Sequence, residues 1–200
     1  MIFNYFPNSI EYFSIIANES LYKYSPGKHF TIFYEIAKLI KYIHTQGVLH
    51  LDLKLENILI VDYEQPHSYP VLIDFGLACL FRSDDSNQVS CHKLEKPWGT
   101  PAYVAPEFLI VNKTTNNLGP WSDIYSFGIM MYIIMGVNHS DPFHLTTQSL
   151  ISLDTYKDIA NLSLPSPQLR LNRLFAGFGS EITELIMEMI NKNYQQRPDI

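Results

Sequence analysis

The segment His50-Leu51-Asp52-Leu53-Lys54-Leu55-Glu56-Asn57 constrains this chain most, because it sets an acid, a base and an amide among leucines. Leucines buried on both sides of Asp52 would fix its carboxylate, and a fixed carboxylate can accept a proton from a hydroxyl. In an extended loop, positions two apart point the same way, so Asp52 and Lys54 are expected to face one site. The ammonium there would counter charge on a transferring phosphoryl group. Asn57 would offer an amide oxygen to a hard cation such as Mg2+. A lone His-x-Asp is common in any chain, so the spacing takes its meaning only from motifs farther along.

Asp74-Phe75-Gly76 follows the apolar run Val71-Leu72-Ile73, and Ala105-Pro106-Glu107 follows Gly99-Thr100-Pro101-Ala102-Tyr103-Val104. Three motifs in this order resemble the signature set of the eukaryotic protein kinases. The resemblance covers nearly the whole chain and matches the larger C-terminal lobe together with the hinge leading into it. It implies a mainly α (α+β) fold, helical with a small β-hairpin beside the catalytic loop. As a partial kinase domain over 1–200, the chain would carry the hinge at 1–8, the catalytic loop at 50–57 and the activation segment at 74–107. Residues 108–200 would be the helical remainder.

With 200 residues and 46% hydrophobic content, the chain can bury one sizeable core in one domain. A net charge of -6, from 14 basic and 20 acidic residues, leaves no basic footprint, so no nucleic-acid partner is expected. Cys79 and Cys91 show neither metal-ligand spacing nor a secreted framework, and read as two ordinary thiols in a reducing compartment. The first 17 residues lack a basic start and are interrupted by Pro7 and Glu11, which makes a poor signal peptide. The run from Ile124 to Val137 is apolar but shorter than the roughly 18 to 20 residues a bilayer span needs. It reads as a buried helix. An intracellular, cytoplasmic protein without a membrane span is the expectation.

Ile2-Phe3-Asn4-Tyr5-Phe6 is strand-like and aromatic, and ends at Pro7-Asn8; an edge strand with no ligand role fits it as well as any site. Asn8 with Glu11 predicts a capping box and a helix through about Asn18. Ser25-Pro26 predicts an N-cap and first-turn proline. Phe30, Phe33, Ile36, Ala37, Ile40 and Ile43 then recur at helical spacing until Gly47. The runs Ile58 to Val61 and Val71 to Ile73 flank a polar turn containing Pro66 and Pro70, which predicts a hairpin. That hairpin brings Asn57 close to Asp74, so both reach one metal site. Trp121-Ser122-Asp123 opens an apolar helix to about Gly136, with Asp123 where the helix dipole favours an acid. Another helix is expected between Thr146 and Ala160. Ser180 caps a last one, whose apolar stripe is Ile182, Leu185, Ile186, Met189 and Ile190.

The resemblance assigns roles to matching positions. It implies an ATP-dependent serine/threonine kinase in which Asp52 is the catalytic base, Lys54 steadies the phosphoryl group, and Thr100 bonds both. Asn57 and Asp74 would hold Mg2+. Phe3 would guard the hinge, the Asn4 carbonyl and Phe6 amide would face adenine, and Leu59 would pack beneath it, although plain strand core also explains Leu59. Asp123 would accept bonds from the catalytic-loop backbone, and Arg197 would clamp Glu107. Lys54 with Thr100 points to a protein substrate carrying Ser or Thr. Leu51 stands where most members carry Arg, so a phosphate on Ser83, Ser86 or Ser90 would lack its charge-assisted partner. No glycine-rich loop, strand-three Lys or helix-C Glu is found before His50. An N-terminal lobe is therefore expected in the full-length chain, with both ends of this one cut. The alternative is a noncatalytic pseudokinase or interaction module; a small-molecule kinase suits Ala105-Pro106-Glu107 and Thr100 less well.

Overall fold

The computed structural model describes residues 6–17, 24–81, 89–90, 99–100, 102–109, 118–135 and 179–200. The expected hinge residues Phe3 and Asn4, and the helix expected between Thr146 and Ala160, lie outside them.

The elements run β1 (Ser9–Glu11), α1 (Tyr12–Ala17), α2 (Pro26–Thr45), β2 (Val48–Leu49), β3 (Ile58–Val61), β4 (Tyr69–Leu72), β5 (Cys79–Phe81) and β6 (Val89–Ser90). They continue as α3 (Pro106–Leu109), α4 (Pro120–Met135) and α5 (Gly179–Met189). Short 3-10 turns occupy Leu55–Asn57, Phe75–Leu77 and Tyr194–Gln196. The strands make two three-stranded antiparallel sheets, ordered β1-β3-β4 and β2-β5-β6.

The helix at the centre is α4. Its residues are apolar all round, and every one from Ser122 to Met135 except Tyr132 is buried, as expected of a core helix. On one side it meets α2, whose Ile32, Phe33, Ile36 and Ile40 point inward and whose Phe33 ring lies 6.0 Å from that of Phe127. Local signals define α2 well. The Ser25 side chain accepts from the Lys28 amide, Pro26 occupies the first turn, and Gly47 follows the last turn at φ 70°. On another side α4 meets α5 through Ile186, Met189 and Ile190. Leu185, expected in the same stripe, is 39% exposed.

The hairpin of β3 and β4 forms as expected, with Ile58 opposite Leu72 and Ile60 opposite Pro70. Pro70 therefore sits in a strand and not in the turn; β4 is an edge strand, where a missing amide costs least. The capping box expected at Asn8 does not form. Ser9–Glu11 instead pairs with β3, placing Ile10 against Ile60, and Asn8 takes a left-handed φ of 57° that Asn tolerates. Strand pairing over three residues outweighs one side-chain cap, so the helix starts only at Tyr12.

Cys79 is disulfide-bonded, which corrects the expectation of two ordinary thiols. The one other cysteine of the sequence, Cys91, lies outside the described residues. The antiparallel pairing of Leu80 with Ser90 gives the physical reason, since β6 returns the chain alongside β5. The compartment argument built on free thiols loses its premise. Among the described residues, no helix is long and apolar enough to cross a membrane.

Gly128 is where α4 and α5 come closest. A Cβ there would lie 2.7 Å from Met189 Cβ and 2.8 Å from Ile190 Cγ2. Overpacking costs about 1–3 kcal/mol, against a helix-propensity gain of about 1 kcal/mol. Gly128→Ala is expected to lower the denaturation midpoint; an unchanged or raised midpoint would show that the helices separate freely.

Candidate active site

The loop after β2 owes its shape to one buried carboxylate. Asp123, in the first turn of α4 and fully buried, accepts the Leu51 amide on Oδ1 at 2.8 Å and the His50 amide on Oδ2 at 2.9 Å. A buried carboxylate needs such donors, and two adjacent amides meeting one carboxylate fix the backbone between them. The fixed conformation is a strained one. Leu51 has φ 62°, a left-handed geometry that costs a non-glycine residue about 1–2 kcal/mol.

His50 continues the scaffold. Its Nε2 lies 3.0 Å from the Ile73 carbonyl, and its ring centroid is 4.7 Å from that of Phe75. The Ile73 amide in turn donates to the Asn57 carbonyl at 3.0 Å. The loop at 50–57 and the start of Asp74-Phe75-Gly76 are thereby joined on both sides.

This scaffold brings Asp52, Lys54, Asn57 and Thr100 together. Asp52 Oδ1 accepts from the Thr100 amide at 3.1 Å and from Thr100 Oγ1 at 3.2 Å. Asp52 Oδ2 accepts from Asn57 Nδ2 at 3.1 Å and forms an ion pair with Lys54 Nζ, also at 3.1 Å. Lys54 Nζ also donates to Thr100 Oγ1 at 2.9 Å, so ammonium, hydroxyl and carboxylate form a closed triangle. The Asp52 side chain is 9% exposed and that of Lys54 21%, which leaves both within reach of solvent.

The Asn57 amide nitrogen is committed to Asp52, both to its carboxylate and to its carbonyl at 2.8 Å. Its carbonyl oxygen is left as the atom able to meet a cation. Asp74, at φ 60° and exposed, accepts the Gly76 amide on Oδ1 at 3.1 Å, which leaves its second oxygen for another partner. Among the described residues, no group of three His, Cys, Asp or Glu side chains could hold a metal ion. Leu59 is half-buried opposite Val71, while Ile58 and Ile60 on the other face of β3 are fully buried. Phe6 is half-buried just before β1, its carbonyl accepting from Ser9 Oγ at 2.8 Å.

The Protein kinase domain family matches residues 1–200. This chain belongs to that family. Among curated relatives it is similar to the CBL-interacting serine/threonine-protein kinase 2 of Arabidopsis thaliana, 29% identical over 168 residues that cover 82% of this chain and 31% of that protein. It is also similar to CDPK-related kinase 5 of Arabidopsis thaliana, 31% identical over 175 residues, 88% of this chain and 25% of that protein. The serine/threonine-protein kinase PknD of Chlamydia pneumoniae is 30% identical over 164 residues, 76% of this chain and 16% of that protein. The chain thus spans less than a third of the length of these relatives. The general chemistry of the kinase family is phosphoryl transfer from ATP with a divalent metal.

Two further features of this kinase domain bear on the site. The clamp expected between Glu107 and Arg197 forms as a bidentate pair, with Nη1 to Oε1 at 2.7 Å and Nη2 to Oε2 at 2.9 Å. Ser122 Oγ also donates to Glu107, and the guanidinium lies 4.9 Å from the Tyr125 ring centroid. Burial pushes the Tyr125 hydroxyl far above its ordinary range, and the Arg197 charge offsets that only in part. The sequence did not point to His44, whose Nε2 lies 2.8 Å from Asp123 Oδ2. Its place in the last turn of α2, six residues before His50, was the available signal.

Arg197→Met would leave Glu107 buried without its cation, a loss expected to cost about 3–5 kcal/mol of folding stability. Urea denaturation measures it; a cost near zero would show the clamp to be dispensable.

Proposed function

We propose that residues 1–200 form the helical lobe of a protein serine/threonine kinase, which transfers the γ-phosphoryl group of ATP to a Ser or Thr hydroxyl of a protein. The observation carrying this is the Asp52 carboxylate, held by donors from Thr100 and Asn57 and paired with Lys54, with its side chain 9% exposed. Its weakest contact is with Thr100 Oγ1 at 3.2 Å, the one a substrate hydroxyl would share or displace. Asp52 then receives the hydroxyl proton as the oxygen attacks phosphorus. Lys54, one residue beyond Leu53 on the same side, counters charge on the phosphoryl oxygens.

The free oxygens of Asn57 and Asp74 make a hard donor pair that fits Mg2+, and the Ile73 to Asn57 backbone bond supports their joint use. Bound there, the ion would neutralise charge on the nucleotide phosphates. The half-exposed Leu59 and Val71 offer an apolar strip on the outward face of the hairpin, suited to the adenine ring. The Phe6 amide and the Asn4 carbonyl are proposed as its edge partners. A noncatalytic interaction module gives no physical reason for three side chains converging on one carboxylate.

Lys54 bonded to Thr100 supports Ser and Thr as acceptors, in line with the names of the relatives. In the natural protein, Asp52→Asn is expected to lower phosphoryl transfer to Ser and Thr peptides about 100-fold or more while leaving ATP binding intact. Full activity in that variant, or equal transfer to Tyr peptides, would contradict the proposal.

Leu51 is buried and uncharged, so a phosphate on the segment after Asp74-Phe75-Gly76 finds no cation at that position. Replacing Ser83, Ser86 and Ser90 together by alanine is expected to leave the transfer rate within about threefold. A far larger loss in a peptide assay would show that a phosphate held elsewhere controls the site.

A further inference from the structure

Cys79 is the one buried residue of β5, and it carries a disulfide whose partner by sequence is Cys91. On one side β5 is fastened to the strand that leads into the site. Cys79 stands opposite Leu49, the residue before His50, and the Phe81 amide donates to the Gly47 carbonyl at 2.9 Å. On its other side β5 meets β6, a strand of only two residues, Val89–Ser90. So short a ladder holds a returning chain weakly.

The sequence runs on from Cys91 to Thr100, whose amide and hydroxyl both donate to Asp52 Oδ1 and whose hydroxyl accepts from Lys54. Along the backbone Thr100 is 21 positions beyond Cys79, but across the sulfur bridge it is nine positions beyond Cys91. Because closure cost rises as the logarithm of loop length, the shorter tether closes onto Asp52 about threefold more readily.

We infer that the Cys79 disulfide is a redox switch on the proposed phosphoryl transfer: while bonded it ties the chain just after β6 to β5, and its reduction loosens Thr100 from Asp52. The inference rests on the kinase reading of Asp52. A sulfur tether also needs no cation, whereas a phosphate on this segment would find only the buried Leu51. Reduction by a dithiol breaks the Sγ–Sγ bond. Two electrons and two protons pass to the sulfurs to give two thiols, and the dithiol becomes a disulfide.

The natural protein is assayed before and after dithiothreitol, with peptide mapping by mass spectrometry to follow the bond. Reduction is expected to lower kcat toward a Ser peptide about threefold or more, with the KM for ATP within about twofold. The Thr100 amide is expected to exchange about threefold faster, with α4 amides unchanged. Restoring the bond with oxidised glutathione is expected to reverse both changes. Cys91→Ser is expected to match the reduced protein and to ignore dithiothreitol. Unchanged or higher kcat in the fully reduced protein, or a Cys91→Ser variant still sensitive to dithiothreitol, would overturn the inference.

Should Cys91→Ser fail to fold, reduction and reoxidation of the unmodified protein decide alone. If that protein transfers no phosphoryl group in either state, the kinase proposal fails, and Thr100 exchange then decides the tether. Faster exchange on reduction would uphold it, and equal exchange would defeat it.

Discussion

A single fully buried carboxylate holds the site in shape. Asp123 belongs to the core helix α4, yet its oxygens serve the backbone of a different segment, the amides of His50 and Leu51. Because α4 packs against α2 and α5, those amides are referred to the buried core. The strained φ of Leu51 shows the direction of the causality. A leucine does not choose that geometry, so the surrounding bonds must impose it. The imposed turn is what sets Asp52 among Lys54, Asn57 and Thr100.

The rest of the site is built outward from that turn by short connections. His50 reaches the Ile73 carbonyl and packs on Phe75, so the position of Asp74 is tied to that of the loop. Thr100 closes on Asp52 through both its amide and its hydroxyl, tying the residues around Gly99 to the same carboxylate. Farther along, Tyr103 offers its carbonyl to Ser126, and Glu107 is locked to Arg197 and Ser122. Both contacts end on α4 or beside it. The helix thus anchors the segment at its start and its finish, and buried, hydrogen-bonded charge sets the geometry at each point.

Residues whose signal is local were legible in the sequence. Ser25, Pro26 and Gly47 bound α2 because capping and left-handed termination depend on a few neighbouring atoms. The apolar runs Ile58 to Val61 and Val71 to Ile73 around a polar turn point to the hairpin, and the motif order points to the members of the site. Asp52, Lys54, Asn57 and Thr100 were found through resemblance, and their convergence became visible only once the loop was folded. Signals set by distant partners were misread or missed. Ser9–Glu11 became a strand because β3 lay open to it, and Pro70 entered β4 because that strand is an edge. Cys79 reads as a free thiol in the sequence because the return of β6 beside β5 leaves no local trace. His44 looked like an ordinary residue near a helix end, since its partner lies 79 positions away.

The most direct measurement is residue-resolved amide exchange in Asp123→Asn, compared with the unmodified protein. If the carboxylate holds the loop, at least one of the His50 and Leu51 amides loses its protection, because a carboxamide keeps only one acceptor oxygen, the rest of α4 keeps its own, and phosphoryl transfer from ATP falls with it. Full protection of those two amides in the variant would contradict the clamp and leave the strained turn at Leu51 without a cause.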